Sequence, residues 1–152
     1  MIEDSRVGSL VDTNILIYCF DFAAPLKRAA ARDLLRKGAA QGELHIPHQA
    51  MVEFVSVVTR RRGDGNPLLP HMEAWRQAED FLNEFPVIYP NEFVFRTALL
   101  VMAAYKFSWY DAHLWAYAEH FGIPEILSED FEHARRYGTV RVRNPFIELG
   151  LA

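Results

Sequence analysis

Short apolar runs, each cut off by an acid, a proline or a glycine, alternate with longer segments of helical periodicity from Leu10 to Asn144. This alternation constrains the fold more than any composition value. Strands that return only after a helix must be joined by crossovers, so the pattern predicts an α/β fold with a mostly parallel sheet. The first unit is the clearest. Leu10-Val11 runs into Asp12, Thr13-Asn14 follow, and Ile15-Leu16-Ile17-Tyr18 leaves as a helix. In an open α/β sheet, ligands bind outside the carboxyl ends of the strands, and Asp12 has that address. The stretch is equally an ordinary helix start, with Thr13 or Asn14 as cap and Asp12 in the turn. Further acids at equivalent addresses would decide between the two.

The rest of the chain repeats the alternation. Pro25 opens a helix to about Gln41, with Leu26, Ala30, Ala31, Leu34 and Leu35 inward, and Gly42 stops it. Glu43 to Pro47 is a short strand. A helix from His48 to about Arg62 follows, apolar in its middle except for Glu53 and Ser56. The loop Arg60 to Pro70 carries Gly63-Asp64-Gly65-Asn66-Pro67, a strong turn signal. Trp75, Ala78, Leu82 and Phe85 mark the buried face of the next helix. Val87 to Pro90 is a strand, and Asn91 caps a helix in which Val94, Ala98, Val101 and Tyr105 share a face. Ser108 opens another helix, with Leu114, Tyr117, Ala118 and Phe121 inward. Glu125 to Ser128 and Gly138 to Asn144 are the last strands. There is no repeat, low-complexity tract or linker, so residues 1–152 are expected to form a single domain.

Composition narrows the class. The longest apolar run, Ala98 to Tyr105, is far too short to span a membrane, and the acidic start Met1 to Arg6 is unlike a signal peptide. Cytoplasm is the expected compartment. The single cysteine, Cys19, excludes a disulfide framework and a cysteine-rich zinc site, and its apolar neighbours suit a buried thiol. The net charge of −4 argues against binding nucleic acid by bulk positive charge. It leaves room for a nuclease whose acidic site recruits cations. Thirteen arginines stand against three lysines, clustered as Arg60-Arg61-Arg62, Arg135-Arg136 and Arg141/Arg143. Their planar forks suit phosphate, although a solvated, salt-bridged surface explains any one cluster as well.

Four acids sit where the elements should bring them together. Asp12 ends the first strand, and Asp130 lies two residues beyond Ser128, so both project at the carboxyl edge. Asp111 lies in the first turn of its helix, above Leu114, Trp115 and Ala118; a capping role from Ser108 explains it equally well. Glu53 interrupts an apolar helix, and carboxylates are rarely buried without a partner or a cation. A salt bridge to a nearby arginine is the structural alternative. Four carboxylates in one cleft would repel each other unless cations were bound. All-oxygen ligands suit magnesium or manganese rather than zinc.

On these residues the chain resembles the PIN-domain family, and within it the VapC-type ribonuclease toxins of toxin–antitoxin pairs. Val11-Asp12-Thr13-Asn14-Ile15-Leu16 is similar to the opening motif. Glu53, Asp111 within Tyr110-Asp111-Ala112, and Asp130 within Ser128-Glu129-Asp130-Phe131 match the later ones in order. Ser128 stands as the hydroxyl before the last acid, and Gly138 to Asn144-Pro145-Phe146 resembles the tail of one subgroup. The resemblance implies a three-layer fold with a five-stranded parallel sheet. It also implies Mg2+- or Mn2+-dependent RNA cleavage leaving a 5′-phosphate, a homodimer, and a VapB-type antitoxin. It makes Asp12, Glu53, Asp111 and Asp130 the catalytic and metal-binding acids. Asp12 and Asp111 are expected to ligate directly, Glu53 and Asp130 partly through water, with Thr13 and Asn14 holding the turn that aims Asp12. Either Glu129 or Asp130 could approach the metal.

Other readings are open to test. Metal-free histidine chemistry would use two of His45, His48, His71, His113, His120 and His133, but no pairing is recognisable. A receiver-like phosphoacceptor would need a lysine after a late strand, and Lys27, Lys37 and Lys106 are elsewhere. A dinucleotide fold would need a glycine-rich loop after the first strand. A silent RNA- or partner-binding module remains, and Trp109, Tyr110 and Trp115 could stack on bases, though their helical spacing favours core packing. A nuclease of RNA processing or decay outside any toxin pair is a further alternative.

Overall fold

The computed structural model describes residues 7–151. Five short strands run parallel; helices separate each of the first four from the next, whereas a loop and a two-residue strand lead from the fourth to the last. They are β1 (Ser9–Val11), β2 (Leu44–Pro47), β3 (Val87–Ile88), β4 (Glu125–Leu127) and, last in the chain, a strand over Val140–Arg143. The expected five-stranded parallel sheet is therefore present. A two-residue strand, Arg136–Tyr137, adds an antiparallel edge. Labelled in chain order this edge is β5 and Val140–Arg143 is β6, and the spatial order is β3-β2-β1-β4-β6-β5. The hairpin turn between them starts at Gly138, whose φ of 61° is the left-handed conformation that a two-residue hairpin turn favours.

The helices are α1 (Thr13–Tyr18), α2 (Pro25–Gln41), α3 (His48–Thr59), α4 (His71–Glu84), α5 (Glu92–Tyr105), α6 (Trp109–His120) and α7 (Pro145–Glu148). Alternate strand residues point to opposite faces, and each face has its own core. Val11 and Leu127 pack with Leu16, Leu35, Phe54 and Phe81 on one side. Leu10, Ile126 and Val142 pack with Ala98, Leu114 and Tyr117 on the other. Helices thus cover both faces, which is the three-layer arrangement expected, and the middle of the sheet is apolar on both sides, with Leu10, Val11, Ile126 and Leu127 all buried. Among the described residues, no helix is long and apolar enough to cross a membrane.

Four expectations about helix faces need correction. In α4 the buried line is Ala74, Phe81 and Phe85, while Trp75 and Leu82 are exposed. Ala74, Ala78, Phe81 and Phe85 follow the i, i+4, i+7, i+11 path, and Trp75 and Leu82 lie one position round from it. Leu26 is exposed because it sits in the first turn of α2, outside the stretch of Ala31, Leu35 and Gly38 that meets the core. Phe121 is exposed at the C-cap of α6, beyond the packed turn. Finally, α3 stops at Thr59 rather than near Arg62. Arg60 is extended, and the Leu69 N–H donates to the Val58 carbonyl at 2.8 Å, which draws the returning loop onto the helix end.

Gly38 shows how tightly α2 lies on the sheet. A Cβ there would fall 2.8 Å from the Leu44 Cβ, so a side chain would force the helix away from β2.

Candidate active site

The parallel pairing of β1 with β4 decides where the acids meet. Val11 is in register with Leu127, and the Asp12 N–H donates to the Leu127 carbonyl at 3.0 Å. The two chains therefore leave the sheet side by side, one into Asp12 and the other into Ser128-Glu129-Asp130. Asp12 itself is the N-cap of α1; neither Thr13 nor Asn14 fills that place. Its Oδ1 accepts the Thr13 N–H at 2.7 Å, and its Oδ2 accepts the Ser128 hydroxyl at 2.6 Å. The Ser128 oxygen in turn accepts the Asp130 N–H at 3.0 Å. The Asn14 amide donates to Asp130 Oδ2 at 3.1 Å and, more loosely, to Asp12 Oδ2 and Ser128 Oγ, both at 3.4 Å.

The third acid arrives from α6. Ser108 caps that helix and accepts the Asp111 N–H at 3.2 Å, so the capping geometry is real. Yet Asp111 also joins Asp12 and Asp130, and one carboxylate oxygen from each lies within 4.8 Å of the others. Capping and convergence coexist. Asp12 is buried, Asp111 half-buried and Asp130 exposed.

Glu53 is placed differently. Its Oε2 accepts the Thr13 hydroxyl at 3.1 Å, and its Oε1 is buried without a hydrogen-bond partner. It lies beside the aspartate trio rather than within it, and it makes no salt bridge among the described residues. The apolar run around it is also not a buried face, since Val52 and Val55 are exposed.

The electrostatics follow from this crowding. Burial pushes the Asp12 carboxyl up to about 7. The Ser128 and Thr13 hydrogen bonds oppose that rise, whereas the nearby Asp130 and Asp111 charges add to it. Burial also raises Asp111, against the Ser108 hydrogen bond and with the Asp130 charge. A site that lifts its own carboxyls in this way favours a bound cation. The donors fit a hard divalent ion: three carboxylates converge, and two buried oxygens at the site, Asn14 Oδ1 and Glu53 Oε1, have no partner.

Glu129 turns away from the trio. It accepts the Tyr18 hydroxyl at 2.7 Å and the Lys27 ammonium at 3.1 Å. Lys27 also lies over the Tyr18 and Phe146 rings. No sequence signal marks it, because Lys27 and Glu129 are brought together only by the sheet.

A cleft of about 450 Å³ between α3, α5 and α6 adjoins Glu53. Gln49 spans its mouth, donating to the Tyr110 carbonyl at 3.2 Å. Of the three aromatics expected in the core, Trp115 is buried, with its indole N–H on the Tyr137 carbonyl. Trp109 is half-buried against Phe95 and His113. Tyr110 is exposed next to Asp111. Four of the six histidines are engaged by scattered elements: His48 lies against Tyr89, His113 against Trp109, His120 bonds Asn91, and His133 accepts the Asn144 N–H. Among the described residues, no histidine is hydrogen-bonded to the acids.

A fold of this topology with acids gathered at the carboxyl edge defines a class. Residues 9–139 match the model of the PIN domain, and the protein belongs to the PIN domain family. Several solved structures share the fold. A toxin–antitoxin complex from Klebsiella pneumoniae has a chain 19% identical, with a TM-score of 0.66 over 91% of this chain and 98% of that one. DNA-bound VapBC from Salmonella typhimurium gives 14% identity and a TM-score of 0.67, covering 92% and 99%. VapC20 of Mycobacterium tuberculosis, a Sarcin-Ricin loop cleaving toxin, gives 19% and 0.63, covering 88% and 99%. Against the curated proteins the sequence finds no match.

Proposed function

We propose that this protein is a Mg2+- or Mn2+-dependent endoribonuclease and the toxin of a toxin–antitoxin pair. One observation carries the nuclease reading: Asp12, Asp111 and Asp130 bring carboxylate oxygens within 4.8 Å of one another at the carboxyl edge of the sheet. Family membership supports the same chemistry, and the toxin role rests on the neighbours, two of them toxin–antitoxin assemblies and one a toxin that cleaves the Sarcin-Ricin loop. The antitoxin, an RNA substrate, a homodimer and a cytoplasmic setting belong to this reading.

Asp12, Asp111 and Asp130 would hold the ion, with Glu53 completing the set through water. Bound there, a divalent ion supplies charge neutralisation at the phosphate and a more acidic water for in-line attack at phosphorus. The chain's own residues prepare that place. Ser128 and the Thr13 N–H hold the Asp12 carboxylate in one orientation. Asn14 ties the Asp12 and Asp130 sides together. Thr13 restrains one Glu53 oxygen and leaves the other without a partner, which supports a water-orienting role for Glu53.

The test is cleavage of RNA by purified protein. Cleavage should need the divalent ion, leave a 5′-phosphate, and fall by roughly 10³-fold in Asp12→Asn while the fold persists. Cleavage that survives EDTA and leaves a 2′,3′-cyclic phosphate would instead assign the reaction to histidines. The toxin role is tested separately, by growth arrest on expression and its relief by the product of a small gene directly upstream.

A further inference from the structure

The late arginines take no part in the acid site, and the sheet register gathers them elsewhere. Ser9 pairs with Glu125, Glu125 with Arg141, and Arg141 with Arg136. These four residues therefore form one row across β1, β4, β6 and β5, with side chains on one face. Ser9 and Glu125 begin their strands, so the row lies at the amino edge of the sheet, the end opposite Asp12 and Asp130. A cavity of about 490 Å³ opens over it, within the size range of small-ligand sites.

Its lining sets four cations, Lys37, Arg136, Arg141 and Arg143, against two acids, Glu43 and Glu125. Glu125 is already engaged through one oxygen: its Oε1 accepts the Arg143 guanidinium at 3.1 Å and the Ser9 hydroxyl at 2.7 Å. Arg143 also reaches Glu148, and Lys37 pairs with Asp33 at 2.9 Å. Arg136 and Arg141 have no ion pair among the described residues. They nevertheless stand directly opposite each other in the β5–β6 hairpin. Like charges at that position oppose the pairing, and the chain concentrates them here although its net charge is −4. Two guanidinium forks side by side suit a phosphate, which each can bind with paired N–H donors.

We propose that this amino-edge cavity is a phosphate-binding site gripped by Arg136 and Arg141. The phosphate is either a phosphodiester of a long RNA passing round the sheet or the 5′-phosphate of a free mononucleotide. The first source rests on the ribonuclease reading above; the second does not. β1 spans only about 10 Å, so an RNA engaged at the acids can reach the amino edge within a few nucleotides.

The experiment is a binding titration in the Asp12→Asn background without added metal, where RNA stays intact. A labelled single-stranded RNA of twelve nucleotides and AMP are each titrated over a range of salt, with and without Arg136→Gln/Arg141→Gln. Affinity should fall about tenfold or more for at least one probe, and the RNA salt slope should shrink by about 1.4. A loss for RNA alone identifies the backbone as the source; a loss for AMP as well identifies a terminal phosphate. The double variant should melt at or above the parent, since a like-charge pair has been removed. Unchanged affinity and slope, no binding of either probe by the parent, or lost binding together with a lower melting point would each overturn the proposal. Because no arm measures cleavage, failure of the nuclease reading is seen separately, as absence of metal-dependent cutting by the wild-type chain.

Discussion

The two ends of one sheet solve like-charge crowding in opposite ways. At the carboxyl end, Asp12, Asp111 and Asp130 converge around a buried carboxylate fixed by Ser128 and Thr13. At the amino end, Arg136 and Arg141 face each other in water on a hairpin. A buried charge cannot be screened by solvent, so it must take up a proton or acquire a counter-ion. Exposed charges are screened by salt. The carboxyl end should therefore respond to protons and divalent ions, and the amino end to ionic strength.

The largest effect expected is on cleavage. Asp12→Asn, or chelation of the metal, should lower RNA cleavage by roughly 10³-fold, measured by product release from a labelled RNA. A folded Asp12→Asn protein with full activity would break the assignment of this end.

The second effect is on stability. The folded Asp12 carboxyl titrates near 7 against an ordinary 3.8. A raised folded pKa in an acid means that the metal-free protein is favoured below the unfolded value and loses that advantage as pH rises from about 4 to about 7. In chelator, the melting temperature should fall over this window, and Asp12→Asn should flatten the fall. At pH 8 the metal-free variant should be more stable by about 1–4 kcal/mol. Metal affinity of the wild type should weaken below pH 7, where the proton competes. A melting curve that rises across the window would contradict the desolvation account.

Smaller changes sharpen the picture. Thr13→Val removes the one hydroxyl that, among the described residues, holds Glu53. It should cost about 1–3 kcal/mol and loosen metal binding by calorimetry, with less effect than Asp12→Asn. Lys27→Met should cost no more than about 1 kcal/mol, because its pair with Glu129 is partly solvated. If it instead abolished cleavage, Lys27 would belong to the site itself.

How far these ends could be read beforehand differs residue by residue. Asp12 and Asp130 were legible because a strand's end is a local property that turn residues announce. Glu53 was singled out for an apolar helix face that is in fact exposed at Val52 and Val55; its position beside Thr13 is what brings it to the site. The choice between Glu129 and Asp130 could not be made from a dipeptide, since both are carboxylates one residue apart. Lys27 and Tyr18 make it by holding Glu129 away. Asn14 was assigned to a turn, and its reach to Ser128 and Asp130 was invisible for the same reason.

The sequence by itself determined the alternation of strand and helix, the parallel sheet, the strand-end acids and the helix cap at Ser108. These follow from periodicity and turn chemistry acting over a few residues. Only the tertiary structure decided that β4 lies beside β1, that Glu53 meets Thr13 rather than an arginine, and that Arg136 stands opposite Arg141. Each depends on sheet order and register, which bring together residues widely separated along the chain or aim them at one face. Local patterns encode which side of a strand is buried, but not which strand lies next to it.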